Sequence, residues 1–255
     1  MITRYIMEFV PKLFVVFHSN LYDELYESLS QEDKQKLVMY GVNKKYPKNY
    51  NPSHTPIFEY DLPDYEPKLQ DTKFHEASAL YHVFKNRLHE NTTHVGFAQY
   101  DMRIHKDAFQ HIRVTMETEP TSEHIFYIFG FNLNVQPLVG ALGMFNSRQK
   151  NAIEKYNAFF GTQYTLEDLK RVPVVIMNNT FVISTRLFEK MMPWMLQYLD
   201  PNLDMSHLGN VGINGNIIEA LTGMFLAFEY LQGAKLHTMK VEHIWPHYKL
   251  KSYSD

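Results

Sequence analysis

Residues 93–103 have the sequence Thr93-His94-Val95-Gly96-Phe97-Ala98-Gln99-Tyr100-Asp101-Met102-Arg103. The apolar part predicts a buried β-strand over residues 95–100, and this run ends in a carboxylate at Asp101. In open α/β sheets, ligands bind outside the carboxyl ends of the strands, so an aspartate there is placed to hold a metal ion and a phosphate. Asp101 is therefore the leading candidate site residue.

Apolar runs and helical periodicities alternate along the rest of the chain. Strands are predicted at residues 13–17, 37–42, 95–100, 124–131, 172–176, 180–184 and 235–245, with 172–176 and 180–184 paired to each other. Helices are predicted at residues 21–29, 74–88, 151–160, 187–199 and 216–231, with a further short helix starting at Thr165. This alternation predicts a single α/β domain with a mostly parallel central sheet flanked by helices.

Composition narrows the classes of function. The 255 residues carry a net charge of −3 without a block of Lys or Arg, which disfavours nucleic acid as a partner. The chain contains no cysteine, so any metal site must use Asp, Glu, His or backbone ligands. No apolar stretch is long enough for a transmembrane helix and no secretory signal is recognised, so the expected location is the cytoplasm, or the host cytoplasm for a viral protein.

The side chains around Asp101 suit a nucleotide diphosphate. Gln99, Asp101 and Arg103 place an amide, a carboxylate and a guanidinium in one short segment, and Gly96 permits close approach of a ligand or another backbone. Such a cluster fits a diphosphate bridged by a divalent cation. The alternative is that Asp101 only forms a turn or caps a helix.

His243 is the second candidate metal ligand. It lies near the end of the last predicted strand, where a lone histidine between apolar residues is more often a hydrogen-bonded structural group. Paired with Asp101 and phosphate oxygens, it would complete a mixed oxygen and nitrogen set that suits Mn²⁺ or Mg²⁺.

Glu219 is a candidate general base. It belongs to a mostly apolar helix, and Gly215, Thr222 and Gly223 share its face, which leaves space for a pocket beside the carboxylate. The alternative is a buried glutamate paired with an arginine or with backbone amides.

Several segments together resemble GT-A type nucleotide-sugar glycosyltransferases, especially small uncharacterised sugar transferases of bacterial polysaccharide loci and large DNA viruses. The matching residues occur in the same order and at the same spacing as in that group. They are His18 at the end of the first strand, Glu76, Leu80, Tyr81, Phe84, Lys85 and Asn86 in a helix, Val95, Gly96, Phe97 and Tyr100 in the next strand, and Gly212, Gly215 and Glu219 at a later helix. One departure is Asp101 itself, since bacterial relatives tend to have basic residues after that tyrosine. The metal-binding motif of general GT-A enzymes usually has two acids, and Gln99 occupies the place of the first.

The resemblance implies a single GT-A-like domain over residues 1–255, with a nucleotide-binding half of about 1–110 and an acceptor-binding half of about 111–255. It implies that Asp101 and His243 bind the metal and that Gln99 contacts the ribose. His18, Tyr100 and Arg103 would also border the nucleotide.

The sequence thus leads to one main hypothesis and two alternatives. The main one is a metal-dependent glycosyltransferase, a hexosyl- or pentosyltransferase, that moves a sugar from a UDP-linked donor to a glycan hydroxyl. Glu219 is the preferred proton acceptor and Asp204 the reserve. The alternatives are a catalytically inactive nucleotide- or sugar-binding module of the same fold and, less favoured, a metal-dependent phosphoesterase.

Overall fold

A computed structural model describes residues 9–18, 20–42, 55–128, 130–131, 147–176, 179–204 and 214–244. The strands are β1 Pro11–Phe17, β2 Leu37–Gly41, β3 Ile57–Phe58, β4 His94–Gln99, β5 Met102–Ile104, β6 His124–Tyr127, β7 Gly130–Phe131, β8 Val175–Ile176, β9 Phe181–Ser184, β10 Lys235–Thr238 and β11 Val241–His243. The helices are α1 Gln31–Lys34, α2 Lys68–Asp71, α3 Ser78–Lys85, α4 Ala108–Thr118, α5 Ser147–Phe160, α6 Leu166–Lys170, α7 Thr185–Met195 and α8 Asn214–Leu231. Short 3-10 turns occur at Asp23–Tyr26, Glu59–Asp61 and His75–Ala77.

Seven strands form the central sheet, in the order β10-β6-β9-β4-β1-β2-β3. All neighbouring pairs are parallel except those of β9, which runs antiparallel to both β4 and β6. Helices flank the sheet, so the predicted α/β class with a mostly parallel sheet is confirmed. Within the described part of the chain, no helix combines the length and the apolar character needed to cross a bilayer.

Two hydrophobic clusters divide the interior. One contains Phe14, Val95, Phe97 and side chains of α3, α7 and α8. The other contains Leu13, Val15 and Phe17 together with residues of α4, β5 and the 3-10 turn at Asp23–Tyr26. Successive residues of β1 therefore bury their side chains in opposite clusters, as a strand covered on both faces requires.

Gly96 is required by the packing of the sheet. A Cβ atom at this position would lie 2.6 Å from Val182 Cγ2, 2.8 Å from Leu13 Cδ1 and 2.9 Å from the carbonyl oxygen of Phe181. The close approach anticipated at Gly96 is therefore made to the neighbouring strands β1 and β9.

The chain on either side of the site departs from the predicted elements. The predicted strand at 235–245 is two strands: β10 joins the edge of the central sheet, whereas β11 pairs antiparallel with β5 in a separate two-stranded ribbon. The short strand β5 and helix α4 were not predicted. The predicted pairing of strands 172–176 and 180–184 with each other is wrong, because β8 pairs with β7 and β9 joins the central sheet. Residues 177–178 lie outside the described residues.

Candidate functional site

The candidate site lies at the carboxyl end of β4, where the ribbon of β5 and β11 meets the central sheet. Asp101 occupies the turn between β4 and β5, and its carbonyl oxygen accepts a hydrogen bond from the N–H of Ile244 at 2.9 Å. His243 pairs with Met102 in the ribbon. The imidazole Nε2 of His243 lies 2.8 Å from Asp101 Oδ2, a hydrogen bond in which the ring N–H donates. The ribbon thus brings together two residues that are 142 positions apart in sequence.

The second oxygen of Asp101 is unusual. Asp101 is 6% exposed, and its Oδ1 atom has no hydrogen-bond partner in the part of the chain that the structure describes. Leaving a buried acceptor unsatisfied costs about 1–3 kcal/mol, and more when the group is charged. Arg103 does not relieve this cost because its guanidinium pairs with Glu242 at 3.2 Å. The carboxylate therefore lacks a donor or a cation at Oδ1.

Asp101 and His243 fit a hard divalent cation as a partial ligand set. In the ligand-free protein, His243 Nε2 donates to Asp101 Oδ2 over 2.8 Å, so a cation bound by this nitrogen would have to displace its proton. Among the described residues, no group of three or more His, Asp or Glu side chains could hold a metal ion. A cation held by this pair would need substrate phosphates and water to complete its coordination.

A second carboxylate–imidazole pair stands at the end of the neighbouring strand. His18 directly follows β1, and its Nε2 atom lies 2.7 Å from Glu76 Oε1. Burial alone would raise the pKa of Glu76, but the hydrogen bond from His18, the His18 charge and further local contacts together lower it below its usual value. The carboxylate is therefore held ionised beside an imidazole, an arrangement that fixes both rotamers.

The segment that carries Glu76 has a strained backbone. Lys73 and His75, on both sides of Phe74, adopt positive φ angles of 64° and 51°, which are uncommon for residues other than glycine. The first turn of α8 holds this segment: Asn214 Nδ2 donates to the carbonyl oxygen of Thr72 at 2.9 Å and the Gly215 N–H to that of Lys73 at 3.1 Å. Such strain persists where the surroundings impose it, and it is common at ligand sites.

Tyr22 and Tyr100 lie next to each other, close enough to Asp101 for its charge to act on both. Their ring centroids are 6.0 Å apart. Burial raises the pKa of both hydroxyls, and the nearby charge of Asp101 raises both further, with Glu76 also contributing at Tyr100. Both phenols thus remain neutral hydrogen-bond donors in a region of negative potential.

The remaining candidates are placed as follows. Gln99 and Tyr100 are half-buried at the end of β4, next to Asp101. Arg103 lies in β5, paired with Glu242. Neither Glu219 nor Asp204 is hydrogen-bonded or ion-paired to Asp101 in the described part of the molecule.

Glu219 lies one turn beyond Gly215 in α8 and is half-buried, whereas Asp204 is exposed. The space predicted around Glu219 is partly filled. A Cβ atom at Gly223 would lie 2.1 Å from the carbonyl oxygen of Ile176, so this glycine permits α8 to pack against β8.

Two site residues carried no role in the sequence analysis. Glu76 appeared there only within the family pattern, and its pairing with His18 connects residues that are far apart in the chain. Tyr22 had no distinguishing signal, because a tyrosine in a helical apolar pattern is indistinguishable from a core residue.

Comparison with known proteins shows similarity at the level of the fold. No protein-family model matches the chain, and no curated protein matches it in sequence. Among solved structures, the chain is similar to the apo structure of WbbM, a bifunctional glycosyltransferase, with a TM-score of 0.59 and 14% sequence identity. The match covers 92% of this chain and 45% of that chain, so this chain spans less than half the length of WbbM.

Proposed function

We propose that this protein is a metal-dependent glycosyltransferase that moves a sugar from a UDP-linked donor to a hydroxyl group of a glycan. The observation that carries the proposal is the Asp101–His243 pair, with one buried carboxylate oxygen unsatisfied, at the carboxyl end of β4. Ligands of open α/β sheets bind at this edge. The fold shared with a glycosyltransferase supports the same reading.

Asp101 and His243 would hold a divalent cation, Mn²⁺ or Mg²⁺. When bound, the cation neutralises the charge that develops on the departing diphosphate. Gln99 and the neutral phenols of Tyr22 and Tyr100 would donate hydrogen bonds to the nucleotide.

His18 and Glu76 would border the same nucleotide from the end of β1. Their mutual hydrogen bond fixes the imidazole, so His18 presents its remaining ring nitrogen in one orientation.

Proton transfer needs a base on the acceptor side. The acceptor oxygen bonds to the anomeric carbon, the bond from that carbon to the diphosphate oxygen breaks, and the diphosphate leaves with the electron pair. Glu219 is the proposed acceptor of the hydroxyl proton, with Asp204 as the reserve. Glu219 is favoured because the first turn of its helix is bonded to the segment that carries Glu76.

Release of UDP from a panel of UDP-sugars, with Mn²⁺ and with water or a simple glycoside as acceptor, tests the proposal. We expect release with at least one donor, a loss of 100-fold or more in Asp101→Asn, and little change in the matched control Glu242→Gln. The control removes an exposed charge one residue from His243. Nucleotide binding without release from any donor would support the inactive binding module instead.

A further inference from the structure

Two histidines connect the edge strand β10 to its neighbour β6 in the central sheet. His124 Nδ1, in β6, lies 2.9 Å from His237 Nε2, in β10, and we call this contact the histidine link. Both rings stack on Phe126, at centroid distances of 6.1 and 5.1 Å. His124 begins β6, which runs in the same direction as β4, so the link lies away from Asp101 at the carboxyl end of β4.

The second contact of His124 fixes the proton positions in the link. Its Nε2 atom lies 3.0 Å from the carbonyl oxygen of Glu119, which can only accept, so Nε2 carries a hydrogen. Nδ1 of the neutral ring is therefore an acceptor, and His237 Nε2 donates to it. One added proton can bind His237 Nδ1 and leave this hydrogen bond intact. A second proton must bind His124 Nδ1, where it would face the N–H of His237.

The charges around His237 act mainly against protonation. Burial lowers the pKa of His237 below its ordinary value of 6.5; three basic neighbours lower it further and one carboxylate opposes them, and these groups are His124, His111, Lys235 and Glu119. The carboxylate of Glu119 is already paired with Lys235. Because the folded state resists this protonation, its contribution to stability is present above pH 6.5 and is lost as the pH falls.

A further buried histidine lies close to the link. Burial lowers the pKa of His94, at the start of β4, with Glu123 opposing the effect and His124 adding to it. Glu123 already accepts a hydrogen bond from Ser184 at 2.7 Å and forms an ion pair with Arg186. Both carboxylates beside the histidines thus have partners already, so a second proton on the link would add positive charge to a region that contains several imidazoles.

We propose that the histidine link is an acid-sensitive switch, which holds β10 against β6 while at most one of its rings is protonated and releases β10 when both are. The second proton replaces a hydrogen bond by two opposed N–H groups on two positively charged rings. Only residues 239 and 240 separate β10 from β11, so a released β10 would also withdraw support from the strand that carries His243. The switch does not depend on the proposed transferase activity.

Amide hydrogen exchange of the whole chain between pH 7.5 and pH 5, corrected for the intrinsic rate at each pH, tests the switch. In the parent, the protection of residues 236–238 relative to β1 should fall by about tenfold or more, because the hydrogen bond is lost. His237→Gln keeps an amide donor for His124 but cannot be protonated, so its relative protection should change by less than about threefold. His105→Gln, which removes an exposed histidine, should behave as the parent does.

Two results of the exchange experiment would overturn the proposal. One is a loss of less than about threefold in the parent, and the other is the same loss in His237→Gln as in the parent.

Nitrogen-15 NMR of the histidine rings is a second test that needs no variant. At pH 7.5, His124 should have a protonated Nε2 and an unprotonated Nδ1, and Nδ1 should gain its proton only after His237 has become charged. Independent proton uptake by the two rings, or a proton on His124 Nδ1 at pH 7.5, would refute the link. Failure of UDP release would refute the transferase proposal and leave both of these tests unaffected.

Discussion

Two buried carboxylates in this molecule are each paired with an imidazole, yet their surroundings differ. Glu59 is fully buried, and both of its oxygens are satisfied: Gln70 Nε2 donates to Oε1 at 2.9 Å, while Ser78 Oγ and His82 Nδ1 reach Oε2 at 2.7 and 3.1 Å. Asp101 has one oxygen bonded to His243 and the other unpaired within the described residues. The first carboxylate completes its own network, whereas the second leaves a position open.

The position of the imidazole proton of His82 also distinguishes the Glu59 network from the Asp101 site. The Nε2 atom of His82 accepts a hydrogen bond from the Glu66 N–H at 3.0 Å, so the ring proton resides on Nδ1, which donates to the carbonyl oxygen of Ser78 at 3.0 Å and lies 3.1 Å from Glu59 Oε2. That network therefore has one fixed arrangement, as fully connected buried polar groups do. We conclude that Glu59 stabilises the fold, whereas Oδ1 of Asp101 has no hydrogen-bond partner among the described residues and is the position at which the proposed cation would bind.

The largest expected effect is at Glu59. Glu59→Gln places an amide donor among existing donors, so we expect a loss of about 3–5 kcal/mol in the free energy of unfolding. Asp101→Asn should change the stability of the ligand-free protein by less than about 1 kcal/mol, because it removes an unsatisfied buried charge. Urea unfolding of both variants measures the difference. Equal losses would remove the distinction between the two carboxylates.

A buried imidazole without a carboxylate partner should respond to acid. Burial lowers the pKa of His94 from 6.5 to about 4, with His124 adding to the effect and Glu123 opposing it. The unfolded chain therefore takes up this proton first as the pH falls, so stability that is present above pH 6.5 is lost progressively toward pH 4. The full effect is roughly 3 kcal/mol.

Urea unfolding between pH 7 and pH 4, with His94→Gln as the comparison, measures the contribution of His94. The variant should lose less stability over this range than the parent. Parallel curves for the two proteins would show that His94 makes no such contribution.

Mn²⁺ should stabilise the protein through Asp101. At a concentration one hundred times the Kd, a cation that binds only the folded state adds about 2.7 kcal/mol. Thermal unfolding with and without Mn²⁺ should show this gain in the parent and in Glu59-network variants that still fold, but not in Asp101→Asn or His243→Gln. An equal gain in Asp101→Asn would place the bound metal elsewhere.

The smallest effect is expected at Arg103. Its ion pair with Glu242 is exposed, with 44% and 54% of the two side chains accessible, so Arg103→Ala should change stability by less than about 1 kcal/mol. If Arg103 contacts a phosphate, as the sequence predicted, the variant should bind UDP more weakly while Mn²⁺ stabilises it as before. Unchanged UDP affinity in the variant would show that Arg103 does not contact the nucleotide.

Local sequence pattern predicted the elements that are long or strongly periodic. Apolar runs identified β1 and β4, and helical spacing identified α5, α7 and α8, because burial imposes these periods directly. The pairing of strands was harder to predict from the sequence. Whether residues 235–245 form one strand or two depends on their partners β6 and β5, which local sequence does not specify. The antiparallel insertion of β9 is likewise a property of the whole sheet.

Part of the candidate site could also be predicted from local sequence pattern, because strand ends are visible in the sequence. Asp101 and His243 were each predicted at the end of a strand, and the structure places their side chains 2.8 Å apart. Their role as metal ligands stays a prediction. The His18–Glu76 contact could not be derived from local pattern, because it depends on a backbone with positive φ angles at Lys73 and His75 that α8 holds in place.

Titration calorimetry of UDP in the presence of Mn²⁺ tests directly whether Asp101 holds a cation at a nucleotide site. We expect binding by the parent and by Glu242→Gln, and a loss of at least 100-fold in affinity in Asp101→Asn. Binding by Asp101→Asn with the affinity of the parent, or no binding by the parent, would contradict it.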